Sequence, residues 1–146
     1  MTNEAILTVR VTCLEAAAVK GHTMDIVMVP FTGTAEGPYF TGSVSGSGID
    51  TQKIEKNGRC RLSARYILDG KDADGAPCKL FIENESGADG RLRPKIITDS
   101  AMLAAWETTP MYAELEPSEN GVIIRIFKER GDGSNPSPPF EQPAYM

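Results

Sequence analysis

Asp50 and Gln52 stand two positions apart at the end of a glycine-punctuated stretch, FTGTAEGPYFTGSVSGSGID (residues 31–50). A strand running through them places the carboxyl and the amide on one face. Further along, Arg65 and Tyr66 are adjacent, as are Glu83 and Asn84. One carboxyl and one phenol held near the mouth of a β-structure can transfer protons on a bound molecule without a cofactor, which makes Asp50 and Tyr66 the candidate catalytic residues. Gln52, Arg65, Asn84, Glu83 and Trp106 are the candidate ligand contacts around them.

Each of these residues also has a structural reading. Asp50 could instead hydrogen-bond the Gly-rich backbone beside it. Arg65 is either a solvated charge or an inward cation paired with Glu83 or Glu85 on the next strand. Tyr66 shares a face with Leu62, Ala64 and Leu68, so its hydroxyl needs a partner if buried. Asn84 ends an otherwise apolar face, where a structural anchor competes with a ligand contact. Trp106, with Met102 and Leu103, reads as the apolar side of a short helix that could plug a barrel end.

Other chemistries lack their residues. His22 is the one histidine and sits in a Gly-flanked turn, KGHT, with no nucleophile-elbow pattern elsewhere, so a Ser-His-Asp device and a histidine metal cluster are both disfavoured. Cys13, Cys60 and Cys78 lack CxxC spacing and read as neutral thiols. The loop DGKDADG (residues 69–75) lacks the later oxygen ligands of a calcium loop and reads as a polar turn. No metal and no cofactor is expected. Fifteen basic against 20 acidic residues, net −5 with no basic stripe, disfavour nucleic acid. A cationic head before an apolar run is missing and no run reaches the roughly 20 apolar residues of a membrane span, so no membrane partner is expected and a cytoplasmic location is.

The elements that must position the candidates are short strands. Leu7, Val9 and Val11 alternate with Thr8, Arg10 and Thr12, and Cys60 to Leu68 alternates as cleanly. Residues 25–31 are nearly continuous in hydrophobicity, with Pro30 placing that strand's end at an edge or bulge. Residues 13–20 could form two helical turns, a strand edge or a loop. Asn-Gly pairs at 57–58 and 120–121 mark hairpins. One helix is predicted over residues 100–106, after Asp99 as N-cap. Eight to ten short strands at regular spacing predict an all-β, single antiparallel β-barrel over residues 1–130, since closure removes exposed edges. Residues 131–146, GDGSNPSPPFEQPAYM, are Pro-rich and aperiodic and read as a tail, with Phe140 and Tyr145 able to dock on a neighbouring subunit in a homo-oligomer.

The order of these pieces resembles the domain-of-unknown-function 3237 family of bacterial and fungal proteins. The resemblance rests on residues 31–50, on LSARYIL followed by DG and then LFIEN, and on GVIIRIFK, and covers about residues 5–129. Ser47 and Thr51 depart from the family pattern. The resemblance implies a calycin-like or allene-oxide-cyclase-like barrel, no established activity for the family as a whole, and Asp50, Arg65, Tyr66 and Asn84 as the matching polar positions. The expected function is a barrel that binds an aromatic or acyl small molecule, with isomerisation, cyclisation or cleavage as the possible chemistry. The alternative is a non-catalytic assembly module with a side-chain-filled barrel.

Overall fold

In β1 (Leu7–Cys13) the alternation read from sequence becomes geometry: Leu7, Val9 and Val11 are buried while Arg10 and Thr12 face water. Period-two side chains on a strand leave one apolar face, which must find cover. The structure, a computed structural model, describes residues 4–87 and 89–129. The strands that follow are β2 (Ala17–Lys20), which is exposed throughout, and β3 (Met24–Glu36), β4 (Phe40–Val44), β5 (Gly48–Glu55), β6 (Cys60–Asp72), β7 (Pro77–Ser86), β8 (Leu92–Thr98), β9 (Met111–Ser118) and β10 (Gly121–Lys128), which supply the cover.

All pairings are antiparallel, and eight strands close a barrel in the order β1, β10, β9, β8, β7, β6, β5, β3 and back to β1. The two remaining strands are extras: β4 continues the β3–β6 junction beyond the end of β5, and β2 lies along the outer edge of β3. The tail over residues 131–146, with Phe140 and Tyr145, lies outside the described residues.

The long β3 explains the closure. Its first half pairs with β5 and β2, its second with β1 and β4. Pro30 was expected near the strand's end, yet the strand runs through it to Glu36. The reason is placement: the Pro30 carbonyl accepts from the Leu14 amide at 2.8 Å, on the edge where β2 stops and β1 begins. A missing N–H costs no ladder bond in that gap. Of residues 13–20, for which the sequence admits two helical turns, a strand edge or a loop, Cys13 ends β1 and residues 17–20 form the edge strand β2.

The predicted helix over 100–106 is shorter and tighter, a single 3-10 turn, Ala104–Glu107. Ser100 Oγ accepts from the Leu103 amide at 3.2 Å, which closes a local turn before any α-helical ladder can start. Trp106 is its buried residue and packs edge-on to Tyr39 at 6.1 Å, so this connection covers one end of the barrel. It also bridges the loosest seam, where β8 and β9 share the single registered pair Leu92 and Ala113.

Candidate functional site

The opposite end of the barrel holds a cavity of about 40 Å³, and all eight ring strands contribute to its wall. Cross-strand register builds that wall in rows. Val29 pairs with Asp50, Asp50 with Ala64, Ala64 with Asn84, and Asn84 with Pro94. Asp50 and Asn84 therefore flank the smallest inward side chain of β6, and Ala64 leaves the space that Leu62 and Tyr66 would fill. One row deeper Phe31 pairs with Gly48 and Tyr66 with Ile82, and Gly48 lies against Tyr66. Gly48 is required there, because a Cβ would stand 2.8 Å from the Cβ of Tyr66 and run into the Phe31 ring.

The polar groups at this level are buried. Asp50 is 7 % exposed, Asn84 3 % and Gln52 fully covered. Gln52 Nε2 donates to Asp50 Oδ2 at 3.1 Å, the same-face pairing that their two-residue spacing predicts. Asn84 Oδ1 is buried without a hydrogen-bond partner, as is the Tyr66 hydroxyl. Tyr66 packs edge-on to Phe31 with ring centroids 5.3 Å apart, and burial pushes its phenol far above its ordinary value, so it stays protonated. A buried group without a partner carries a desolvation cost that a bound molecule can relieve.

Asp50 is the one charged side chain in the cavity wall among the described residues, and the rest, apart from Asn84 and Cys13, is aliphatic or aromatic. Its charge reaches two thiols. Burial first, and Asp50 second, push Cys13 and Cys60 up, which keeps both protonated. Cys13 lines the cavity and is half-buried, as are Ala64 and Leu115, so this end meets the surface.

The structure brings Asp50, Gln52 and Asn84 together with Tyr66 one row below. Arg65 and Glu83 are not with them. They pair with each other at 3.1 Å on the outer wall, with side chains 64 % and 31 % exposed. Their alternation explains it, since both neighbour an inward residue, Tyr66 and Asn84. Trp106 covers the far end of the barrel. Cys13 was missed as a cavity residue, although it continues the inward series Leu7, Val9, Val11 and its position could have been read from that.

A second buried carboxyl, Asp72, was also missed and serves structure. Its Oδ1 accepts from the amides of Asp74 and Ala76 at 3.0 and 3.1 Å, and Oδ2 from Ser100 Oγ at 2.9 Å. Of residues 69–75, read as a polar turn, Asp69 to Asp72 instead extend β6, because they find partners on both β4 and β7, and the turn that follows is organised by this carboxylate. No group of three or more His, Cys, Asp or Glu among the described residues is placed to hold a metal, and none of their helices is long and apolar enough to cross a membrane.

Comparison with known proteins places this geometry. The model of a family described as protein of unknown function (DUF3237) matches residues 1–89. A UPF0311 protein of Clostridium acetobutylicum is 42 % identical over 53 residues, a match that spans 36 % of this chain and 31 % of that protein's length. A solved protein of unknown function from Clostridium acetobutylicum superposes with a TM-score of 0.72 at 23 % identity, covering 88 % of this chain and 96 % of the other. A β-barrel-like protein from Acinetobacter baumannii gives 0.66 at 16 % identity, covering 87 % and 94 %. A structure described as an enzyme from Penicillium herquei gives 0.68 at 17 % identity, covering 88 % and 94 %. These likenesses show the fold: an antiparallel β-barrel.

Proposed function

We propose, for a chain that belongs to the family described as protein of unknown function (DUF3237), that the barrel binds a small uncharged aromatic or acyl compound where Asp50, Gln52 and Asn84 meet. The observation that carries this reading is the hydrogen-bonded Asp50–Gln52 pair set in the otherwise apolar surroundings of the cavity. Few converging polar groups on apolar walls are the general pattern of ligand sites. With no Lys, Arg or His among the described lining residues, a carboxylate or phosphate would bring its charge against Asp50, so the ligand is neutral at the end that enters.

A cavity of about 40 Å³ takes a ring edge or the end of an acyl chain, and the rest of the ligand lies across the mouth beside Cys13 and Leu115. The Asn84 amide holds the ligand's oxygen or nitrogen, the Asp50 carboxyl, aimed by Gln52, takes or returns a proton, and the neutral Tyr66 hydroxyl one row below is the further hydrogen-bond donor. That set of groups suffices for a cofactor-independent isomerisation, cyclisation or elimination. The enzyme of like fold from Penicillium herquei supports a barrel of this shape as a catalytic scaffold. The same cavity volume favours the alternative, a side-chain-filled structural module.

A thermal-shift screen separates the two. Neutral aromatic and acyl compounds, tested beside their carboxylate analogues, are expected to raise the melting temperature of the wild type. Asp50→Asn and Tyr66→Phe are expected to diminish the shift. Hits that ignore both substitutions, or hits confined to carboxylates, refute the site, and a screen with no hits leaves the structural module.

A further inference from the structure

The outer face of β7 carries Lys79, Phe81 and Glu83, and register extends each into a row across three strands. Phe81 lies between Ile67 of β6 and Ile97 of β8. Ile67 is 44 % and Ile97 53 % exposed, so three large apolar side chains stand abreast on a wall that faces water. One flanking row reads Arg65, Glu83, Lys95: positive, negative, positive. On the other flank Asp69 pairs with Lys79, and Asp99, whose Oδ1 accepts from the Lys79 amide at 2.7 Å, completes negative, positive, negative.

We propose that this wall is the interface of a two-fold homodimer whose axis runs along the apolar row. Rotation about that axis reverses strand direction and keeps each residue's place across the strands. Every apolar side chain then meets its own copy, Phe81 on the partner's Phe81. Every charge meets its opposite: Glu83 the partner's Lys79, Arg65 the partner's Asp69, Lys95 the partner's Asp99. The other in-plane axis, parallel to the strands, would set Glu83 on Glu83 and Lys79 on Lys79. Charge therefore selects one of the two orientations.

A two-fold interface requires a patch that is its own complement, and this one is, which is why the occupant is a second copy of the chain and not an unrelated protein. The three rows span about two strand spacings by four residues, roughly 10 by 14 Å between side-chain bases. An interface of that size belongs with the weak and transient class, so the dimer forms in a concentration-dependent way.

Sedimentation of the full chain from about 10 μM to 1 mM tests it, because the upper end reaches the affinities of weak complexes. The average mass is expected to rise toward the dimer with concentration and to fall back with added salt. Phe81→Lys, Lys79→Glu and Glu83→Lys are each expected to weaken association about tenfold or more, with circular dichroism confirming that the barrel is intact. The double variant Lys79→Glu/Glu83→Lys, which again sets opposite charges face to face, is expected to recover most of the loss. A chain that stays monomeric throughout, a dimer indifferent to all three substitutions, as one held by the C-terminal tail would be, or a double variant no better than its singles overturns the proposal.

Discussion

Gln52 donates its side-chain amide to Asp50 across 3.1 Å, with both residues withdrawn from water and one strand position between them. The bond fixes the carboxyl's direction, and the consequences of removing each partner differ. Gln52→Leu keeps the volume but strips a donor from a buried acid, and is expected to cost about 2–3 kcal/mol. Asp50→Asn retains an acceptor oxygen facing Gln52 and is expected to cost about 1 kcal/mol or less. Urea unfolding of the two variants checks the order. Equal stability of Gln52→Leu and wild type would mean the amide does not hold the carboxyl.

Tyr66 behaves in the opposite sense. Its hydroxyl is buried without a partner, so Tyr66→Phe removes an unpaid desolvation and is expected to leave the apo protein as stable or to gain up to about 1 kcal/mol. The pH dependence follows from the raised phenol. The unfolded chain releases this proton near its ordinary value of 10.0, the folded chain well above it. Stability is therefore complete below pH 10, and above it falls by up to about 1.4 kcal/mol per pH unit, because the unfolded state then binds fewer protons. Denaturant midpoints of wild type and Tyr66→Phe are expected to draw apart as pH rises from 8 to 11, the wild type falling faster because only it carries the buried phenol. A parallel course across that range would show that Tyr66 titrates normally.

What the sequence disclosed, and what it did not, divides between local and closed-ring information. Alternation in β1 and β6 and the Asn57-Gly58 turn are local, so strands and faces were readable, including the shared face of Asp50 and Gln52. The same alternation puts Arg65 and Glu83 outside once Tyr66 and Asn84 are inside, where their charges pair with each other in water. The cavity is a property of the ring. Cys13 and Asp50 share a wall because β1 pairs with β3 and β3 with β5, registers that no window of the chain contains. The small volume likewise depends on how Phe31, Tyr66 and Leu62 interdigitate across strands. Trp106 could be read as buried, yet which end its loop would cover was set by the β8–β9 connection and by Tyr39.

Asp72 supports the far end much as Asp50 shapes the near one. It accepts two loop amides and the Ser100 hydroxyl, and Ser100 in turn takes the Leu103 amide ahead of the helix that carries Trp106. Asp72→Ala removes three hydrogen bonds to one carboxylate and is expected to cost about 2–4 kcal/mol, against about 1 kcal/mol for Ser100→Ala. Emission from Trp106, the single tryptophan, reports on the same end and is expected to shift to the red in Asp72→Ala. Full stability with unchanged emission would show that the loop stands without its carboxylate.

The thiols offer a test of Asp50's charge that needs no ligand. Cys13 and Cys60 are pushed up first by burial and next by Asp50, whereas Cys78 is pushed up by burial and by Asp72 and Asp99. Asp50→Asn removes one cause for the first pair and none for the third. The thiolate is the reactive form, so at a fixed pH near 8 alkylation of Cys13 and Cys60 is expected to accelerate severalfold in Asp50→Asn while Cys78 keeps its rate. Peptide mass spectrometry after timed alkylation resolves the three sites. Equal acceleration at Cys78 would point to general loosening of the barrel, and no acceleration at Cys13 would mean that Asp50 is uncharged in the folded protein, which would reverse its proposed role from proton acceptor to proton donor.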